Sequence, residues 1–262
     1  MNWLIVTDLD GTLLDDTYPN AEACAAIDAI RRERPGTVVT LASSKTFPEM
    51  LALASAAAIP PSLIFENGAG IAMPRTADNL YDIVPLGTSY AQICTVLYEL
   101  RQEPGFLFRG FHQMSRAEVA ELTGLSLQAA SLARRRLASE PLIWGGTPEA
   151  LALFSDALGE HDLRLQKGGR FHHVTSHVSK ADALFRLLVR AGQTGQRAPS
   201  ILACGESPND LELIDAADQA LLFPQRDGRF LREASPTLHH APVAGPSCWL
   251  SSVRKILDRG TA

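Results

Sequence analysis

The stretch Trp3-Leu4-Ile5-Val6-Thr7-Asp8-Leu9-Asp10-Gly11-Thr12 decides the fold. Its apolar start, Trp3 to Val6, is short and runs into turn residues. Such a run reads as a buried strand of a parallel sheet. In open α/β sheets ligands bind at the carboxyl ends of strands, which is where Asp8 and Asp10 stand. Two carboxylates at this spacing, leaving a strand into the Gly11 turn, make a hard-oxygen site suited to Mg2+ and to a phosphate. Strand, carboxylate spacing, Gly11 and Thr12 coincide, which argues against a merely solvated acidic turn.

Working outward, the first third alternates strand and helix. Asn20 can cap a helix whose inner face carries Ala23, Ile27 and Ile30, and Pro35-Gly36 stops it. Thr37–Leu41 is a second β-branched strand. Thr46 and Glu49 have the spacing of a capping box, with Pro48 in the first turn of the helix that follows. Ser62–Phe65 is a third strand, ending in Glu66-Asn67-Gly68-Ala69. Strand and helix in alternation predict a doubly wound, parallel α/β sheet of the Rossmann-like kind.

The middle is less regular. A helix is expected at Ser89–Arg101, amphipathic pieces at Ser115–Leu122 and Ser126–Ala138, a strand at Pro141–Trp144 and a helix at Pro148–Leu158. Strands at Leu163–Gln166 and Phe171–Thr175 complete an inserted α/β unit. The alternating pattern then resumes with a helix capped by Ser179, a strand at Ser200–Ala203, the loop Gly205–Asp210, a strand at Ala220–Phe223 and a last helix at Ser247–Leu257. Residues 1–83 and 176–262 are therefore expected to form one discontinuous core, with 84–175 inserted.

Composition sets the outer limits. The 262 residues are 46% apolar and 20% charged, as in ordinary globular proteins. A net charge of -5 gives no electrostatic case for nucleic acid or an anionic membrane as partner. The run Arg134-Arg135-Arg136 reads as a solvated helix face. Cys24, Cys94, Cys204 and Cys248 are scattered, without metal or redox spacing. With no signal-peptide pattern and no long apolar run, they lead to the expectation of reduced thiols in a cytoplasmic protein.

Four loops are expected at one sheet edge. The first brings Asp8 and Asp10. The second brings Ser43, Ser44 and Lys45 at a helix start, a natural phosphate site. The third brings Lys180, and the fourth Glu206, Asn209 and Asp210. Four carboxylates so gathered would repel one another without a cation. Mg2+ would relieve this, and Lys180 would offset a phosphate or the nucleophile. Phosphoryl transfer depends mostly on such positioning and charge neutralisation. A carboxylate attacking phosphorus gives an aspartyl phosphate, while a second carboxylate gives and recovers a proton.

These residues resemble the haloacid dehalogenase (HAD) superfamily of phosphotransferases. Asp8-Leu9-Asp10-Gly11-Thr12 is similar to its first motif, Ser43 to the second, Lys180 to the third and Gly205–Asp210 to the fourth. The resemblance implies that Asp8 is the nucleophile and Asp10 the general acid/base. It also implies that Mg2+ is held by the Asp8 carboxylate, the Asp10 backbone carbonyl and the fourth motif (Glu206, Asp210), with Ser43, Ser44 and Asn209 on the phosphate. Ser43–Thr46, Glu66–Ala69, Gly168–His173, Glu121–Leu125, Glu140–Trp144 and Gly245–Trp249 further resemble the mannosyl-3-phosphoglycerate phosphatase family and its close relatives. In such a family the insert is a mobile cap that closes over a phosphorylated sugar.

Cap and loop residues follow as candidates for substrate binding. Arg170 can clamp a glycerate carboxylate bidentately. His172 and His173 point to opposite faces of a strand, so only one faces the substrate. The spacing does not choose between them, and His172 is carried as the candidate. Lys45 either holds a substrate oxygen or is a solvated helix start. Asn67 either touches ligand or orders its own turn, and Glu66 either accepts sugar hydroxyls or is structural. One departure stands out: the family's fourth motif begins Gly-Asp, and this chain has Gly205-Glu206. The longer arm keeps the charge and predicts retained but altered Mg2+ binding. The leading expectation is a Mg2+-dependent glycosyl-3-phosphoglycerate phosphatase. Hydrolysis of another small sugar phosphate, or weakly catalytic binding of one, are the alternatives.

Overall fold

The computed structural model describes residues 2–14, 20–75, 78, 80–168, 171–192 and 198–259. Strand β1 (Trp3–Thr7) is buried along its whole length, as its apolar run demands. Helix α1 (Asn20–Glu33), β2 (Val38–Ala42), α2 (Phe47–Ala54) and β3 (Ser62–Phe65) follow. The expected capping box opens α2: Thr46 Oγ1 accepts the Glu49 N–H at 3.3 Å, and the Glu49 carboxylate accepts the Thr46 N–H at 2.9 Å. A tight turn at Glu66–Gly68 then reverses the chain into β4 (Gly70–Pro74) and β5 (Tyr81–Pro85). These two strands extend the sheet antiparallel, and sequence reasoning had no place for them.

The insert comprises α3 (Tyr90–Leu100), β6 (Phe108–Gly110), α4 (Arg116–Thr123), α5 (Leu127–Ala133), β7 (Ser139–Trp144), α6 (Pro148–Gly159), β8 (Leu163–Gly168) and β9 (Phe171–Ser176). Its four strands form an antiparallel sheet in the order β6-β7-β9-β8. Ile93, Leu97, Phe108, Phe154, Leu158 and Val174 pack into a separate apolar core between that sheet and its helices. The remaining elements are α7 (Lys180–Arg190), β10 (Ser200–Gly205), α8 (Leu211–Asp215), β11 (Gln219–Leu222), β12 (Leu238–His240) and α9 (Pro246–Arg259).

The main sheet runs β12-β11-β10-β1-β2-β3-β4-β5, with every pairing from β12 to β3 parallel. Apolar clusters cover both faces. One gathers α1, α2 and α9 residues such as Ile27, Met50 and Trp249, the other α7 and α8 residues such as Leu184 and Leu213. This is the doubly wound α/β core with an inserted α/β cap. Later strands leave β1 on one side through β2 and on the other through β10. The switch point, where a crevice opens beyond the carboxyl ends of the strands, therefore lies between β1 and β10.

Two expectations need correction. The division at residue 83 falls inside β5, because β5 pairs with β4 in the core sheet through Pro85. Nor is the arginine run a solvated helix face: α5 ends at Ala133, and Arg136 is only 7% exposed. It turns inward to Ser139 and Glu66, where its charge has partners. Among the described residues no helix is long and apolar enough to cross a membrane.

Candidate active site

β1 and β10 pair in register up to Thr7 and Cys204, and the Asp8 N–H donates to the Cys204 carbonyl at 2.9 Å. Asp8 therefore leaves the sheet at the switch point, beside the loop that begins at Glu206. A support lies beneath it. The Trp249 Nε1–H donates to Thr7 Oγ1 at 3.0 Å, and Thr7 Oγ1 donates to the Asp8 carbonyl at 2.9 Å. The last helix thus holds the first catalytic candidate.

Lys180, at the head of α7, is fully buried. Its Nζ donates to Asp8 Oδ1 and to Asp210 Oδ1, each at 2.6 Å. Burial alone would push the ammonium toward neutrality, but Asp210 and Asp8 outweigh it and hold the lysine charged. Asp8 is pushed up to about 7. Burial is the main cause, Lys180 opposes it, and Asp210 and then Asp10 add to the rise. One lysine does not offset the carboxylates gathered here.

Asp10 faces solvent and takes a different partner, Lys45, whose Nζ lies 2.6 Å from Asp10 Oδ2. Burial works against the Lys45 ammonium, yet Asp10 raises its pKa above the usual lysine value. In the same loop Ser43 is buried, and its Oγ accepts the Lys45 N–H at 3.2 Å. Ser43 and Ser44 line the same cleft as Asp8 and Asp10.

The fourth loop wraps around Asp210. Its Oδ2 accepts the N–H groups of Glu206 (3.1 Å) and Ser207 (2.9 Å) and the Ser207 hydroxyl (3.0 Å). With Oδ1 on Lys180, both oxygens of Asp210 are committed. In this arrangement Asp210 orders the loop and the lysine. Asn209 Nδ2 donates to Asn67 Oδ1 at 2.7 Å, and Asn209 also bonds Ser207. Asn67 and Asn209 both line the cleft.

Glu206 lies against the first turn: a Cβ on Gly11, whose φ is +74°, would stand 3.0 Å from Glu206 Cγ. Burial, and after it the Asp210 charge, raises the Glu206 carboxyl above its usual range. Among the described residues no cluster of three or more His, Cys, Asp or Glu side chains could hold a metal ion. Asp8, Glu206 and the Asp10 carbonyl, whose residues line one cleft, would make a smaller, all-oxygen set. Burial first, and neighbouring carboxylates after it, raise Asp8 and Glu206; a hard divalent cation would relieve the carboxylate share.

The cap supplies the opposite wall with Gln166, Lys167, Gly168 and His173. His173, not His172, reaches the cleft. Val174 packs into the cap core beside Leu142, so strand alternation turns His172 to that side and His173 to the other. The apolar Val174 was the signal that could have chosen between them. Burial, with Arg136 next, pushes His173 down to about 3, so its imidazole is neutral. His173 Nδ1 and Gln166 Oε1, on paired strand positions, are buried and have no hydrogen-bond partner among the described residues. Arg170 lies outside the described residues. The cleft holds about 180 Å3 and adjoins a second lobe of about 460 Å3. That lobe adds Arg164, Ser179 and Glu212 to Asn67, Gln166, Lys167, Pro208 and Asn209.

Residues 5–101 match the family model of the haloacid dehalogenase-like hydrolases. Over that stretch the chain is similar to these hydrolases. Its fold is shared along nearly the full length with several solved structures. A haloacid dehalogenase-like hydrolase from Bacteroides thetaiotaomicron is 17% identical with a TM-score of 0.69, covering 98% of this chain and 100% of that one. A Thermoplasma acidophilum protein is 18% identical with a TM-score of 0.68, covering 98% and 99%. The sucrose-phosphatase of Synechocystis sp. PCC6803, solved with sucrose and phosphate, is 12% identical with a TM-score of 0.63, covering 97% and 98%. At these identities the likeness is one of fold.

Proposed function

We propose that this protein is a HAD-type, Mg2+-dependent phosphatase that works through an aspartyl phosphate on Asp8, and that its substrate is mannosyl-3-phosphoglycerate or the glucosyl analogue. The observation that carries the reading is the separation of two carboxylates. Asp8 is buried at the switch point on Lys180, while Asp10 reaches into the cleft on Lys45. A nucleophile and a proton carrier need those two environments.

In this reading an Asp8 oxygen attacks phosphorus, and the bond from phosphorus to the ester oxygen breaks. Asp10 protonates that oxygen as the glycosylglycerate leaves. Asp10 then takes a proton from water, whose oxygen attacks phosphorus, and inorganic phosphate and free Asp8 result. Lys180 keeps Asp8 oriented, and Ser43, Ser44 and Asn209 offer hydrogen bonds to the phosphoryl oxygens. Mg2+, held by Asp8, the Asp10 carbonyl and Glu206, would neutralise phosphoryl charge when bound. Lys167 and Arg164 on the cap side suit a leaving group that carries a carboxylate.

A second reading is hydrolysis of another sugar phosphate. It is favoured by the neutral pair Gln166 and His173, which suits hydroxyl groups. A substrate panel with Mg2+ tests both: an aryl phosphate, several sugar phosphates and the two glycosyl phosphoglycerates. The proposal expects the highest kcat/KM on the latter and none of the activity in Asp8→Asn. A preference for another sugar phosphate selects the second reading. Binding without turnover leaves only a sugar-phosphate-binding protein.

A further inference from the structure

The Glu66-Asn67-Gly68 turn is assigned no step in that chemistry, yet the parts of the site meet there. Glu66 and Asn67 both hold left-handed backbone, with φ of 50° and 57°. That conformation is uncommon for residues with side chains and persists where the surroundings enforce it. The turn's amides are fixed on the second loop: Glu66 N–H donates to the Lys45 carbonyl and Asn67 N–H to the Ser43 carbonyl, both at 2.9 Å. Asn67 bonds Asn209 of the fourth loop. Gly68 (φ 101°) lies so close to the head of α7 that a Cβ would stand 2.1 Å from the Ser179 carbonyl oxygen.

The Glu66 side chain leaves the core and enters the cap. It is 1% exposed. Oε1 accepts the Leu137 N–H at 2.8 Å, and Oε2 accepts the Ala138 N–H at 3.1 Å and the Ser139 hydroxyl at 2.6 Å. Arg136 Nε lies 3.7 Å from Oε2. Arg136 also donates to the Ser44 carbonyl at 3.2 Å, and Thr46 Oγ1 donates to the Leu132 carbonyl at 3.0 Å. This is the base of the cap: the Leu137 carbonyl accepts from Tyr90 N–H, and Ser139 pairs with Thr175 beside the return crossing to the core.

We infer that Glu66 is a positioning residue, whose buried carboxylate locks the cap base to the Ser43–Lys45 loop. Seating of the cap thereby sets where Ser43, Ser44 and Lys45 stand. A buried carboxylate so fully partnered resists partial separation, because each bond lost leaves a desolvated group unpaired. The contact is made or broken as a unit. Only the kinetic arm of the test rests on the phosphatase reading.

Glu66→Gln keeps the shape but sets an NH2 group against N–H donors and Arg136. We expect kcat to fall by roughly ten- to a hundredfold on an aryl phosphate and a sugar phosphate alike, with KM little changed, as displacement of catalytic groups does. Arg136→Met should give a similar loss, and the double variant no further one. Ser139→Ala, a milder change, should give a smaller loss of the same kind. Amide hydrogen exchange needs no activity: Leu137, Ala138 and Lys45 should all exchange faster in Glu66→Gln and in Ser139→Ala. A rise in KM confined to the sugar phosphate would make Glu66 a substrate contact and overturn the inference. So would faster exchange at Leu137 and Ala138 with Lys45 and kcat unchanged. A wild-type protein inactive on every phosphate ester would end the phosphatase reading while the exchange result still judged Glu66.

Discussion

Asp8 and Asp10 share one turn, yet each is bonded to a different lysine, Asp8 to Lys180 and Asp10 to Lys45, both at 2.6 Å. The division keeps a buried carboxylate and a solvent-facing one side by side without a direct bond. Asp8→Asn should abolish phosphate release. Asp10→Asn, at an exposed position, should leave the fold intact and lower kcat by about 10²- to 10⁴-fold. A discontinuous phosphate assay on matched folded protein checks both, and full activity in either variant removes that residue from the chemistry.

Lys180 ties two buried carboxylates together, whatever its part in the chemistry. Lys180→Met would leave Asp8 and Asp210 facing each other in a buried site. The expected loss of stability is about 3–5 kcal/mol, the cost typical of breaking a buried pair. Urea unfolding at neutral pH measures it. A loss near zero would mean that water reaches and screens the two carboxylates.

Glu206 tests the metal. Chelation should silence the enzyme and Mg2+ restore it. Glu206→Asp should stay active with a shifted half-saturating Mg2+ concentration, because the shorter arm changes the reach to an ion with strict octahedral demands. Glu206→Gln should lose most activity. If it matches wild type at limiting Mg2+, Glu206 is not a ligand.

His173 gives a pH prediction of definite sign. Its pKa falls from 6.5 to about 3 on folding, so below 6.5 the unfolded chain takes up a proton that the native one refuses. The neutral ring's contribution is intact above pH 6.5 and is lost as the pH falls toward 3. The slope from this group is about 1.4 kcal/mol per pH unit. His173→Gln should flatten the acid limb of stability by that amount, as read from urea midpoints between pH 6.5 and 4.5. An unchanged limb would mean that the ring titrates normally.

What could be read from the chain beforehand was what lies close in sequence. The first turn, the Thr46 capping box, the head of α7 at Lys180 and the fourth loop all announce themselves by local spacing. The β4–β5 hairpin did not, because Gly70 and two strand-ending prolines blur its pattern. Arg136 was misread for a different reason. Three adjacent arginines look alike, and only the distant Glu66 buries one of them. The hold of Asp210 on Lys180 and on the loop amides likewise shows only in the folded chain.

The pairing of Trp3 with Ser200 has a bearing on how the protein comes into being. A ribosome that has finished β1 must deliver the whole insert before β10 exists, a wait of roughly tens of seconds at ordinary elongation rates. The cap is built from neighbours in sequence and can assemble during that interval, since local contacts form soonest. The crevice cannot. Its floor closes only when Trp249 emerges, so a lid folded that early would have no chamber beneath it.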